Sequence, residues 1–301
     1  MKKLFRKNRR TTGEIVYQVV LCFIMVILML LVLYPIYYLI IVSISGNTAV
    51  NAGQVVLYPK QVTFKAYLSV LEDHFFLNSY LNSIIITTVG TTVNMVMTML
   101  CAYPLSRKDF QGNRFFTIMV AFTMFFSGGM IPTYLLVSSL GLLNSFWAII
   151  LPWSINVFNM IVMRSFFQSI PLELTESAHM DGANDIVVFV RVVIPLSMSI
   201  IATMVLFYAV SHWNAYFNAM LYLTEKSKYP VQMYVRAIVL EDATEALQQM
   251  SSSVQMADQI SVSQKSTQYA VIIASILPIL LIYPFVSKYF EKGVMMGSLK
   301  G

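Results

Sequence analysis

The sequence predicts an all-α integral membrane protein with six transmembrane helices and a short helical segment on its cytoplasmic side. Three observations predict it. Of 301 residues, 57% are hydrophobic and only 11% charged, against about 25% charged in a usual soluble domain. Much of the surface therefore faces something other than water. Apolar runs recur at lengths that suit a bilayer, whose hydrocarbon core of about 30 Å takes roughly 20 helical residues to cross. Lys and Arg, finally, fall mostly between alternate runs.

The elements follow in order. Met1 to Arg10 is basic and precedes an apolar run over 16–42. A secretory signal has the same order, but its apolar core is roughly 7–15 residues long. This run is longer and lacks a small-residue cleavage site, so it is expected to be a retained first span, 15–45. Further spans are expected at 78–105, 115–138, 145–167, 190–220 and 268–290. The third is interrupted by Ser127-Gly128-Gly129 and Pro132. Backbone freed there needs partners in neighbouring helices or a wet cavity, so a pathway-lining element and a packing kink both fit. Two outer segments, 46–77 and 224–267, are long enough to fold, the second with a helical pattern over 241–250. Each reads as a solvated connector or as a docking surface for an external partner.

Orientation follows from the bases. With both termini inside, the inner side holds fourteen of the twenty Lys and Arg, and the outer side keeps Lys60, Lys65, Lys226, Lys228, Arg236 and Lys265. The net charge of +6 is then a matter of membrane orientation rather than nucleic-acid binding. Cys22 and Cys101 lie in apolar runs, where a thiol is expected to act as a small buried hydrophobe. His74, His179 and His212 are too scattered for a metal site. No Ser/His/Asp arrangement or paired carboxylates mark a catalytic centre.

The inner segment 168–189 is the most informative. Pro171 suits a first helical turn, and Glu173 sits at the positive end of the helix dipole. Leu174, Ala178 and Asp181 recur at helical spacing. Gly182 supplies a left-handed turn that ends the helix, and Asn184 or Asp185 can cap a second helix rising to Pro195. Periodicity by itself also fits an ordinary amphipathic loop.

Glu176-Ser177-Ala178, then Asp181-Gly182-Ala183, then Ile194-Pro195 resembles the EAA motif of permeases of binding-protein-dependent ABC importers. Gly182 and Pro195 stand at the family's spacing. Ser177, Val192 and Ile194 replace its Ala, Ile and Leu, each keeping size or apolar character. The resemblance runs along most of the chain. Tyr103-Pro104-Leu105-Ser106-Arg107, the stretch Phe125 through Tyr134, Phe207 through Asn214 and the tail Lys292 through Gly301 look like carbohydrate permeases of the LplC/YtcP-like branch, related to the maltose-type permeases.

That resemblance implies a MetI-like permease fold, multi-pass in the cell membrane with both termini cytoplasmic. The EAA loop would be a coupling helix docked on a separate ATPase, through Glu173, Glu176, Ser177, Ala178, Asp181, Gly182 and Ala183. Glu176 would meet a basic or polar group and Ala178 would allow close approach. The tail 291–301, through Gly297, Ser298 and Lys300, would enter between two copies of that ATPase. The other implied partners are a second homologous permease, an extracellular solute-binding protein of lipoprotein type, and an oligosaccharide from polysaccharide breakdown. ATP and Mg would be bound by the ATPase, with no cofactor held by this chain. A phosphate-binding P-loop needs Gly-Lys followed by Ser or Thr, and none of the twelve glycines precedes a lysine.

A sugar path should combine aromatic rings with amides and hydroxyls. Trp213, Asn214, Tyr216 and Asn218 in the fifth span, and Asn156 and Asn159 in the fourth, are candidates. Helix–helix hydrogen bonds and interfacial anchoring account for the same residues. The alternative function is an ion-gradient-driven secondary transporter. It would need ionisable residues at mid-membrane, and the acids here cluster in loops.

Overall fold

The computed structural model describes residues 12–240 and 265–298. Among them every regular element is helical. Three helices are long and apolar enough to cross a bilayer: α1 (Thr12–Ser43), α4 (His74–Ser106) and the last, α14 (Lys265–Ser298). Three bent pairs pass the same test together: α5 (Asn113–Phe125) with α6 (Met130–Ser139), α7 (Trp147–Trp153) with α8 (Val157–Gln168), and α10 (Asp185–Leu196) with α11 (Met198–Trp213). Counting each pair as one span gives six crossings. Shorter helices are α2 (Asn47–Asn51), α3 (Lys65–Glu72), α9 (Leu172–Met180), α12 (Tyr216–Tyr222) and α13 (Val231–Leu240).

The chain divides into two compact units, 1–70 with 253–273 and 71–252 with 274–301. In the first, Ile41, Val42, Ala49 and Val55 form a small core against Tyr38 and Tyr269. The outer loop is pinned by backbone bonds from Gly46 N to Lys60 O and from Thr63 N to Ile44 O, at 3.1 and 2.9 Å. Ser43 Oγ and Tyr67 OH share a hydrogen bond of 2.7 Å. Along α1 every residue from Val16 to Tyr37 is exposed. Cys22 is among them and Cys101 is half-buried, so neither is the fully buried thiol expected from its apolar surroundings. An apolar run turned toward lipid needs no protein neighbour, and hydrophobicity alone does not distinguish the two destinations.

In the second unit α4 is the central post, packed along α8 and α11. Asp73 caps its start, its Oδ1 accepting from Phe75 N and Phe76 N at 2.7 and 3.2 Å. Met95, Ala102, Leu105, Met160, Met163, Phe167, Met204 and Tyr208 are buried between these helices. In a bilayer apolar packing brings no gain over lipid contact, so interhelical hydrogen bonds and close fit hold the bundle. Thr98 Oγ1 and Tyr208 OH, both buried, lie 2.7 Å apart between α4 and α11.

The span boundaries differ from the sequence expectation in three places. The fourth span breaks between Trp153 and Val157, turning 51°. The fifth bends by 82° between α10 and α11, where Pro195 and Ser197 fall. Residues 190–196, including Arg191, lie in α10, ahead of the bend. The last helix runs past the expected limit at 290 and on through Gly297 and Ser298. Lys300 and the helical pattern over 241–250 lie outside the described residues.

Candidate functional site

Two features of the second unit stand out, an elbow at one end and a cavity inside. The elbow is α9, a tight turn and α10. Pro171 precedes the first turn of α9, and Glu173 lies within that turn. The helix ends as the sequence pattern requires. Gly182 sits at φ +84°, its N–H bonds to His179 O at 2.9 Å, and Ala183 N bonds to Ala178 O at 3.0 Å. This paired closure satisfies carbonyls that a helix end otherwise leaves open. Asn184, rather than Asp185, then caps α10, its Oδ1 accepting from Val187 N at 2.9 Å.

The elbow has two faces. Glu173, Glu176, Ser177, Asp181 and Gly182 are exposed, and Met180 between them is 88% exposed. Ala178 and Ala183 are half-buried and pack on the core beside Val188 and Phe167. Their small size lets the elbow sit close on this chain's own helices. A groove of about 800 Å³ runs from Glu173, Glu176 and His179 to Arg107, Lys108 and Asp109. Arg107 donates from Nε and Nη2 to the two Asp109 oxygens at 3.0 and 2.8 Å. That pairing holds the Asp109 carboxyl below the usual carboxylate range and the guanidinium further into its charged form.

The cavity, about 870 Å³, opens beside the break in the fourth span. A helix interrupted at membrane depth exposes backbone groups that must find partners. Here the chain supplies them. Asn94 of α4 donates from Nδ2 to Trp153 O at 2.6 Å, and Asn156 N donates to Tyr208 OH at 3.3 Å. Asn156 also caps α8 through Asn159 N at 3.0 Å. Asn94 has a second partner, His212 Nε2, at 2.7 Å from its Oδ1. Since the amide nitrogen is spent on Trp153, the histidine is the donor. Its ring lies over Gly90, where a Cβ would stand 2.6 Å from Nε2. Hydrogen-bonded amides, a hydroxyl and the rings of Trp153, Phe158 and Phe207 thus line one space.

Of the expected pathway residues, Asn156, Asn159 and Asn218 line this cavity. Trp213, Asn214 and Tyr216 do not. Trp213 is buried, its Nε1 donating to Ser275 O at 3.0 Å. Asn214 returns its amide to Val210 O at 3.0 Å at the helix end, and Tyr216 is exposed. Trp153, Asn94 and Ser211 also line it without having been singled out. Pro152 and Asn156, four apart inside an apolar run, were the available signal for the break. Among the described residues no group of His, Cys, Asp and Glu could hold a metal ion.

An all-α chain with six candidate crossings, a cavity of rings and amides within its bundle and a capped elbow at one end has the architecture of a membrane permease subunit. It belongs to the binding-protein-dependent transport system inner membrane component family, the permeases of ABC importers, whose profile matches residues 94–296. It is 43% identical to the polygalacturonan/rhamnogalacturonan transport system permease protein YtcP of Bacillus subtilis, over 89% of this chain and 92% of that one. Protein LplC of the same organism is also 43% identical, over 89% of each chain. The fold matches a chain of a bacterial ABC transporter involved in the import of the acidic polysaccharide alginate. That match has a TM-score of 0.84 and 36% identity, and covers 93% of this chain and 99% of the other.

Proposed function

We propose that this chain is a pathway subunit of an ATP-driven importer of oligosaccharides released by polysaccharide breakdown. A separate ATPase acts on it through the elbow. The observation that carries the reading is the elbow itself. It is a short helix closed at its C-terminal end by its own hydrogen bonds, seated on the core through Ala178 and Ala183, with Glu173, Glu176 and Asp181 turned outward. A stiff lever with a polar outer face can transmit a push to α8 and α11, where a loose linker would lose it. In this reading both termini and the elbow are cytoplasmic, the ATPase is present in two copies, and ATP and Mg reside on it. A second permease completes the pathway, and a solute-binding protein of lipoprotein type delivers sugar from outside. Gly297, Ser298 and Lys300 contact the ATPase. The chain itself performs no catalysis.

The carbohydrate assignment rests on the relatives and on the cavity. YtcP is named for polygalacturonan and rhamnogalacturonan transport, and the matched structure is that of an alginate importer. Trp153 offers a sugar ring an apolar face, and Asn156, Asn159 and Asn218 offer hydroxyl partners. The test is ATP-driven uptake of labelled trigalacturonate and maltotriose by proteoliposomes holding the complete transporter. Gly182→Trp sharpens it. No atom lies within 4 Å of a Cβ at Gly182, so beyond the left-handed strain that any side chain brings there, the ring is set to obstruct a partner on the outer face. Uptake should collapse in that variant, and Gly182→Ala should show only the roughly 1–2 kcal/mol of left-handed strain. Wild-type uptake without ATP, or full uptake by Gly182→Trp, would refute the reading.

A further inference from the structure

At the elbow side, the end of α4 is a junction of several elements. Arg164 of α8 donates from Nε to Leu105 O at 2.6 Å. Asn113 of α5 donates from Nδ2 to Leu105 O and Arg107 O at 2.8 and 2.7 Å. Arg107 is the C-cap of α4, and from there it reaches across to the elbow. While Nε and Nη2 grip Asp109, Nη1 lies 3.6 Å from Asp185 Oδ1 and 3.4 Å from Tyr103 OH. Asp185 opens α10 and stands 3.6 Å from His179 Nε2 of α9. The other nitrogen of that ring donates to Ala183 O at 2.9 Å. A side chain rooted in α4 thus faces the carboxylate at which both arms of the elbow meet. Tyr103 adds an apolar contact at the same place, its ring 4.6 Å from that of Phe189.

The same helix carries Asn94 into the cavity wall, where it holds Trp153 O and His212. Resting on the elbow as the point where an ATPase acts, we propose that Arg107 is a positioning residue for transport. It ties the elbow to α4, so that displacing the elbow moves the cavity wall directly as well as through α8 and α11. Two features suit arginine to this. Its planar guanidinium presents five donors and can serve two carboxylates and a phenol together, which a lysine ammonium does on a looser stem. Its side chain is largely buried, which fixes the direction of the guanidinium, while Asp185 is 71% exposed and free to follow the elbow.

The experiment compares Arg107→Gln, Arg107→Lys, Asp185→Asn and the Gln/Asn double variant in the complete transporter. The readout is labelled trigalacturonate taken up per ATP hydrolysed, with co-purification of the ATPase as the check on assembly. Arg107→Gln should lower the ratio by at least about fivefold, the lower end of usual coupling factors between sites. Arg107→Lys should fall between it and the wild type. Asp185→Asn should lower the ratio less, and the double variant no further than Arg107→Gln alone. A normal ratio in Arg107→Gln overturns the proposal, as do losses that multiply in the double variant. If Arg107→Gln does not assemble, Asp185→Asn decides, and a normal ratio there overturns it too. Wild-type transporter that takes up sugar without ATP refutes the role of the elbow instead. Normal wild-type and defective Gly182→Trp uptake beside a normal Arg107→Gln refutes only the tie to α4.

Discussion

Of the three bent spans of this protein, the third and the fourth are finished in opposite ways at their breaks. Between α5 and α6 the chain turns 110° through Ser127, Gly128 and Gly129. Residues 121–132 are exposed or half-buried, and a Cβ at Gly129 would meet nothing within 4 Å. What holds that break is local. Thr133 donates from Oγ1 and N to Gly129 O at 2.8 and 3.3 Å, and the rings of Phe122 and Phe126 stack at 4.3 Å. Between α7 and α8 the turn is 51°, and helices distant in sequence complete it. Asn94 takes the carbonyl of Trp153, and Tyr208 takes the N–H of Asn156. A break finished by other helices becomes the wall of a cavity, whereas one finished by its own neighbours remains a bend. Only Met124 of the third span reaches the cavity, although its glycines made it the more obvious lining element.

The largest expected effect is at the cavity. Asn94→Leu leaves the part-buried Trp153 O and the buried His212 donor without this partner. Each orphaned group costs about 1–3 kcal/mol, so thermal unfolding in detergent should shift strongly and uptake should be lost. A variant as stable as the wild type would mean that the break does not depend on α4. Next comes Gly129→Ala. With φ +84° and ψ 176°, Gly129 occupies a region essentially reserved for glycine, and a side chain there costs about 1–3 kcal/mol. The loss should be pure backbone strain, since nothing obstructs the methyl group. Gly128→Ala, 3.7 Å from Pro132, should be nearly neutral in the same unfolding assay.

Tyr208→Phe should cost less, because interhelical hydrogen bonds in membranes average about 0.6 kcal/mol. It removes a partner from Thr98 and from Asn156 N, so a defect in uptake larger than the defect in stability would place Tyr208 in the pathway. The smallest effect is that of pH on the elbow side. The Arg107 pair lowers Asp109 below its ordinary value of 3.8. Its contribution is therefore complete above that value and is lost only as pH falls through the depressed one. Stability profiles of wild type and Asp109→Asn should run parallel from pH 5 to 8, on the order of a unit above the ordinary Asp range, and converge only in stronger acid.

Much of this architecture was legible in the sequence because the bilayer imposes length and the chain marks its own ends. The left-handed turn at Gly182 and the cap at Asn184 are short-range events, each decided within a few residues. Their functional surroundings were less legible. Ala178 is small in any reading, but its packing against the core depends on helices that converge only in three dimensions. Trp213, with its neighbouring amides, has the composition of a sugar site and spends its indole N–H on Ser275 O.

By itself the sequence determined that the chain is helical, that it crosses a membrane, and where its elbow turns, since hydrophobic length and local capping are properties of contiguous residues. Tertiary structure alone decided which polar groups face a cavity and which hold helices together. An asparagine in lipid must find a partner, and that partner is chosen by the neighbouring helices rather than by the residues beside it in the chain.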